Sequence, residues 1–214
     1  MPSAFAVASR SEILGALRRI SFGHLVSAGV SGPGAFESTV LPFVVDDELT
    51  ELRCHFARAN QHWKHIDGLQ ALMIVAGPGA YISPRWYASK AVDGRVVPTW
   101  NYEVIHVHGT IEVHDDPAWK QSLVGDLTDH NERQVRDPER TETWAVSDAP
   151  TEFINAQLKA IVGVGLTITS IEAKRKLSQN RTELDRAGAI EGLYRSPRHE
   201  ALDTADLMKA SVES

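Results

Sequence analysis

Cysteine is almost missing: Cys54 is the only one in 214 residues, so no internal disulfide can form. A small secreted domain that relies on disulfides carries several cysteines, and that class is excluded. Long apolar runs are missing too, and nothing approaches the ~18–20 residues that a membrane helix needs. The opening segment, Met1 to Arg10, has no apolar stretch of the secretory type. The expectation is a cytoplasmic chain with no membrane partner. Positive charge is scarce, with 22 Lys and Arg against 28 Asp and Glu, a formal net charge of −6. Proteins that grip nucleic acid by its phosphates usually carry a basic face. Direct nucleic-acid binding through a local patch stays open, but the charge balance does not support it. Repeats, heptads and low-complexity tracts are absent, as are the phosphate-loop, dinucleotide and nucleophile-elbow signatures. Gly163-Val164-Gly165 lacks the third glycine of a dinucleotide fingerprint and sits in a strand pattern, where close backbone packing explains it better.

What is present reads as an ordinary globular chain, 43% hydrophobic and 23% charged. The length suits a single domain over 1–214, with a core at about 10–180 and a helical C-terminal tail at about 181–214. Ser9 and Glu12 form a capping box, and Ile13, Leu14, Leu17 and Ile20 follow at helical spacing, predicting a helix over about 10–20. Strands are predicted at 22–30 and 38–45 around the turn Ser31-Gly32-Pro33-Gly34, and at 49–56 after Asp46-Asp47-Glu48. A short helix at 60–69 ends near Gly68, a strand covers 71–76, and Gly77-Pro78-Gly79 turns the chain into 80–83. Residues 84–99 break the pattern. The clearest strand is 104–114, with Ile105, Val107, Ile111 and Val113 on one face and His106, His108, Thr110, Glu112 and His114 on the other. Helices follow at about 117–134 and 151–160 around a polar loop at 136–149, then a strand at 161–171. The tail from about 179 is helical and polar, with a mobile end beyond Pro197. Six or seven strands with short hairpins and peripheral helices point to a mostly β, antiparallel barrel, not to βαβ units.

Residues with chemical potential fall into a few groups. His55, His62 and His65 cluster, and His106 with His108 forms an i, i+2 pair, yet no carboxylate or cysteine stands at a convincing metal-ligand spacing. No metal site is assigned. Cys54 and His55 are adjacent on a strand and point to opposite faces, so one cannot act as base for the other. No catalytic residue is assigned. Three segments concentrate aromatic, amide and cationic groups: His55 to Lys64; Tyr81 to Tyr87 with Pro98 to Tyr102; and Lys174 to Arg181. They suit an anion clamp beside an aromatic surface, as a phosphorylated planar ligand requires. A solvated basic run and a Trp-rich dimer core account for the same composition equally well.

The same segments carry a resemblance. His55 to Trp63 is similar to an H-x-A-R-A-N-P-x-W motif, with Gln61 at the proline position. Tyr81 to Tyr87 matches Y-I-S-P-x-W-Y, Val97 to Tyr102 matches V-P-T-W-N-Y, and Lys176 to Arg181 matches K-L-S-Q-N-R. In this order, over roughly residues 12–195, they resemble the PaiB family of FMN-binding negative transcriptional regulators. The resemblance implies a split β-barrel related to pyridoxamine-phosphate oxidase-like flavoproteins, a homodimer with FMN between subunits. It implies Arg58, Asn60 and Lys64 at the phosphate, with Lys176, Ser178, Gln179 and Arg181 completing the ribityl and phosphate contacts. Thr39 and Leu41 would offer backbone to the flavin edge, and Trp100 and Asn101 would border the ring from the partner subunit. His55, Ala57 and Trp63 belong to the same cofactor-binding set, with His55 orienting the flavin. The alternative activities are a flavin-dependent oxidoreductase using NAD(P)H and a haem-binding split barrel.

Overall fold

The computed structural model describes residues 5–7, 9–29, 35–135 and 142–213. The turn at 31–34, the strand end at Val30, the opening Met1 to Ala4 and residues 136–141 of the polar loop lie outside them. The chain divides into two compact units. One comprises residues 14–75 and 106–171, the other residues 1–13, 76–105 and 172–214.

The first unit is built on a closed antiparallel barrel. Its strands are β1 (Phe22–Ala28), β2 (Phe36–Val45), β3 (Glu51–Ala57), β4 (Gln70–Ile82), β5 (Thr99–His114) and β6 (Ile161–Lys176). Their order around the barrel is β1-β2-β3-β6-β5-β4. The first three lie wholly in this unit, whereas β4, β5 and β6 contribute residues to both. Alternation selects the buried face: Leu25 on β1, Leu41 and Phe43 on β2, Leu52, Cys54 and Phe56 on β3, Val162, Val164 and Leu166 on β6. Each such apolar side chain contributes about 1.5–3 kcal/mol on burial. The fold is the mostly β, antiparallel split barrel with helices that the strand pattern implied.

The barrel's split lies between β2 and β3. These strands pair only from Phe43↔Cys54 to Val45↔Leu52. Beyond that, residues 36–42 keep β1 as a neighbour and residues 55–57 keep β6. The facing edges of β2 and β3 therefore have no ladder partner there among the described residues.

Helix α1 (Arg10–Ile20) carries the Ser9 half of its expected capping box, with Glu12 N–H donating to Ser9 Oγ at 3.4 Å, while the Glu12 carboxylate accepts from Arg175 at 2.9 Å. Helix α2 (Pro117–Glu132) is started by Asp116, whose carboxylate accepts from the N–H of Trp119 at 2.8 Å, with Pro117 in the first turn. Helix α3 is Thr151–Lys159.

The second unit contains α4 (Glu183–Tyr194) and α5 (His199–Glu213). Ala189, Leu193, Ala201, Ala205 and Met208 form one core with Ile82, Tyr87 and Leu177. Four expectations change here or in the barrel. The end beyond Pro197 is not a mobile tail: Ala201, Ala205 and Met208 recur at helical spacing and seal α5 onto α4. Gly77-Pro78-Gly79 is not a turn but part of continuous β4. A Cβ on Gly77 would stand 2.7 Å from Glu103 Oε2, so the glycine permits close approach instead of bending the chain. β5 begins at Thr99 and β6 runs to Lys176, because the polar residues that hid these extensions from the pattern are paired. The expected helix at 60–69 is only a 3₁₀ turn, His62–His65. Asp67 accepts from Val113 N–H and Gly68 N–H donates to Ile111, both at 2.9 Å, tying the chain to β5 before a helix can extend.

Candidate functional site

The first group of expected residues surrounds the split. Thr39 and Leu41 alternate inward on β2; Leu41 is buried and Thr39 half-buried. His55 and Ala57 lie on the end of β3, on the face opposite Cys54. Burial pushes the Cys54 thiol up to about 12, so it is inert as a nucleophile at neutral pH. Burial also pulls the His55 ring below the ordinary histidine range, and its buried Nδ1 has no hydrogen-bond partner among the described residues. Asn60 donates through Nδ2 to Thr39 Oγ1 at 3.2 Å, and its Oδ1 accepts from His62 N–H at 2.9 Å. His62, 4% exposed, spans the barrel mouth between Ser27 (2.8 Å) and Thr39 (2.9 Å), edge-on to Phe56. His62 was visible in the sequence as one of a histidine cluster, but nothing local marked it as the residue that binds Thr39.

The cations of this group are used differently. Arg58 donates through Nε to the Lys159 carbonyl at 2.7 Å, through a second nitrogen to the Ile161 carbonyl at 3.0 Å, and through both terminal nitrogens to Asp115. Asp115 also accepts from Lys120 Nζ at 2.8 Å, and the two cations hold its carboxyl down to about 2. Arg58 thus fastens the end of β3 to the α3–β6 junction. Lys64 is exposed, 6.0 Å from the Trp63 ring, while the Trp63 indole donates to the Arg58 carbonyl at 3.1 Å. Asp115 and Lys120, distant in sequence, carried no motif signal.

The remaining expected residues belong to the second unit. Asn101 and Ser178 are buried and bonded to each other, Nδ2 to Oγ at 2.9 Å, and Ser178 has a left-handed φ of 63°. Lys176 donates to the Thr99 hydroxyl. Gln179 closes the strand end, accepting from Leu177 N–H and donating to the Arg175 carbonyl, both at 2.7 Å. The Arg181 guanidinium stacks 4.9 Å from the Tyr87 ring. Trp100 is 53% exposed and meets Tyr81 edge to face at 6.3 Å. With Trp86 and Arg198 they border a cavity of about 870 Å³. His106 and His108 are half-buried on β5. Among the described residues no three His, Cys, Asp or Glu side chains gather as a metal site.

The barrel-unit group suits a flavin mononucleotide in its polar parts. The orphaned His55 Nδ1 calls for a polar partner, Thr39 offers a hydroxyl, and Lys64 holds an exposed ammonium for a phosphate.

Comparison with known proteins gives the family and its cofactor. The protein is 31% identical over 216 residues to "Protease synthase and sporulation protein PAI 2" of Bacillus subtilis, covering 100% of this chain and 98% of that one. Its fold is similar to the FAD and heme binding protein of Mycobacterium smegmatis, with a TM-score of 0.55 at 16% identity over 85% of this chain and 78% of that one. It is likewise similar to the flavocytochrome Anf3 of Azotobacter vinelandii, with a TM-score of 0.56 at 15% identity over 86% and 75% of the two chains. No described helix is long and apolar enough to cross a membrane. The family model described as "Putative FMN-binding domain" matches residues 1–170. The chain belongs to this PaiB-like family of split-barrel proteins, and its cofactor is FMN.

Proposed function

We propose that this protein is a cytoplasmic, homodimeric flavoprotein that lowers gene expression through the state of its bound FMN rather than by gripping DNA. One observation carries the location of the cofactor: the split between β2 and β3, with Thr39 bonded to Asn60 of the Asn60–Lys64 turn at its edge. In this reading the backbone at Thr39 and Leu41 meets the flavin edge, and His55 and Ala57 border it from β3. Lys64 takes the phosphate, and Arg58, whose donors are engaged by Asp115 and two carbonyls, holds the site's floor. Asn101, Lys176, Ser178, Gln179 and Arg181 shape the second unit, leaving Trp100 to face the ring of a second subunit's cofactor. Bound FMN supplies hydride and electron transfer. Regulation is supported by the Bacillus subtilis relative, named for protease synthesis and sporulation. The net charge of −6 favours an indirect effect over operator contact.

The aromatic-walled cavity beside Trp100 favours a second reading, an NAD(P)H-dependent oxidoreductase, since about 870 Å³ accommodates a second planar ligand. Titration of the purified protein with FMN tests the first reading, with saturation expected at one FMN per subunit. Lys64→Ala should weaken FMN by about tenfold or more, the loss of one charge-assisted bond, and barely change riboflavin. Equal losses for both ligands would refute the phosphate assignment. NAD(P)H oxidation by the holoprotein would favour the oxidoreductase, and a haem band in the visible spectrum would displace both.

A further inference from the structure

At the mouth of the split, Asn60, Thr39, His62 and Ser27 form a hydrogen-bonded chain in which one His62 tautomer lets each donor meet an acceptor. Asn60 is oriented first. Its Oδ1 accepts from His62 N–H, so its amide nitrogen must be the donor to Thr39 Oγ1. At the far end the Ser27 hydroxyl has the Ala28 carbonyl as an acceptor at 3.2 Å, and with its proton there Ser27 Oγ accepts from His62 Nε2 at 2.8 Å. A neutral imidazole with its proton on Nε2 presents a lone pair at Nδ1. Thr39 Oγ1, 2.9 Å from Nδ1, then donates its only proton there. Having accepted from Asn60 and donated to His62, the Thr39 oxygen retains one lone pair and no proton.

We propose that His62 is a positioning residue that sets the polarity of Thr39, making its hydroxyl a pure acceptor for an N–H or O–H donor of the ligand. The inference rests on the reading that FMN occupies the split, where the matching donors are the flavin imide N–H and the ribityl hydroxyls. A protonated His62 reverses the arrangement. Nδ1 becomes a donor, Thr39 Oγ1 accepts from both His62 and Asn60, and its freed proton faces the ligand donor. The pairing then becomes donor against donor.

The groups around His62 determine when this reversal occurs. Ser27 of β1 is neutral and Phe56 of β3 is apolar. Glu37 of β2 favours the charged ring, His65 on the same turn opposes it, and burial, the largest effect, favours the neutral ring. The ring is therefore neutral at pH 7 and takes up its proton below the ordinary histidine range.

The experiment combines FMN titration with a direct reading of the proton. ¹⁵N-histidine spectra of the full chain without FMN should place the His62 proton on Nε2 at neutral pH. FMN affinity of the wild type should fall about tenfold on acidification from neutrality to pH 5. His62→Gln offers an amide N–H to Ser27 and a carbonyl to Thr39 but does not titrate. Measured against its own neutral-pH affinity it should show a shallower acid loss than the wild type, the remainder reporting protonation of the FMN phosphate itself. Thr39→Val should bind weakly at every pH. A proton on Nδ1 in a protein that binds FMN would overturn the polarity assignment alone. A wild-type acid loss retained in full by His62→Gln would overturn it equally. A proton on Nε2 with no FMN bound by any form would overturn the FMN location, and the ligand half of the proposal with it.

Discussion

Asp115 shows how one exposed carboxylate can govern a buried charge. Its side chain is 58% exposed, so its attraction to Arg58 is screened and contributes little alone. Lys120 is different: its side chain is 4% exposed, and the bond to Asp115 is its shortest to any acceptor. Removing the carboxylate charge by Asp115→Asn leaves a buried ammonium without its anion. The expected cost is about 1–3 kcal/mol, read as a lower urea midpoint at pH 7. The pH dependence follows from the direction of the shift. The folded carboxyl titrates at about 2, below the ordinary aspartate value of about 3.9. Its stabilisation is therefore complete above about pH 4 and is lost as pH falls through about 2. Over that interval the variant should lose stability less steeply than the wild type. An unchanged midpoint together with an unchanged slope would show that Lys120 finds another partner.

At the scale of elements, two helical glycines make opposite predictions. Alanine is favoured over glycine inside a helix by about 0.8–1.0 kcal/mol. A Cβ on Gly125 of α2 meets nothing within 4 Å, so Gly125→Ala should stabilise by about that amount. A Cβ on Gly192 of α4 would lie 2.2 Å from the Trp86 ring carbons, and the whole indole would have to move. Overpacking of this kind costs about 1–3 kcal/mol, which exceeds the helical gain, so Gly192→Ala should destabilise. Thermal unfolding of the two variants checks the pair; a gain in both would mean that Trp86 leaves its slot freely. The contrast also explains what the sequence could reveal. The face of β5 from Ile105 to Ile111 was legible because apolar and polar residues alternate there. Its start at Thr99 was hidden because Asn101 and Glu103 are polar yet buried, satisfied by Ser178 and Arg175 some seventy residues on. The site divides in the same way. The motifs located Arg58, Lys176 and Gln179, but the direction of each donor is fixed by Asp115, Thr99 or the Arg175 carbonyl. A cationic motif reads alike whether its donors face a ligand or the protein itself.

At the scale of the molecule, the outer face of β1 and β2 remains to be covered. Phe22 is 54% exposed, Phe36 77% and Val40 42%, while the opposite faces of the same strands fill the barrel. In register, Phe22 opposes Pro42, His24 opposes Val40, Val26 opposes Ser38 and Ala28 opposes Phe36, so one face of the paired ribbon is largely apolar with His24 and Ser38 set within it. A monomer that leaves such a face to water loses the transfer energy and risks edge association. A second copy would cover it with an isologous interface, as a two-fold homodimer requires. The prediction is a solution mass of twice 23.5 kDa by light scattering. Phe22→Asp with Val40→Asp should yield a monomer with an unchanged far-UV spectrum, because both side chains point away from the core. If Trp100 of one subunit borders the FMN of the other, that monomer should also bind FMN more weakly than the dimer while retaining its fold. A variant that stays dimeric would move the interface elsewhere, and a monomer with full FMN affinity would confine the cofactor to a single chain.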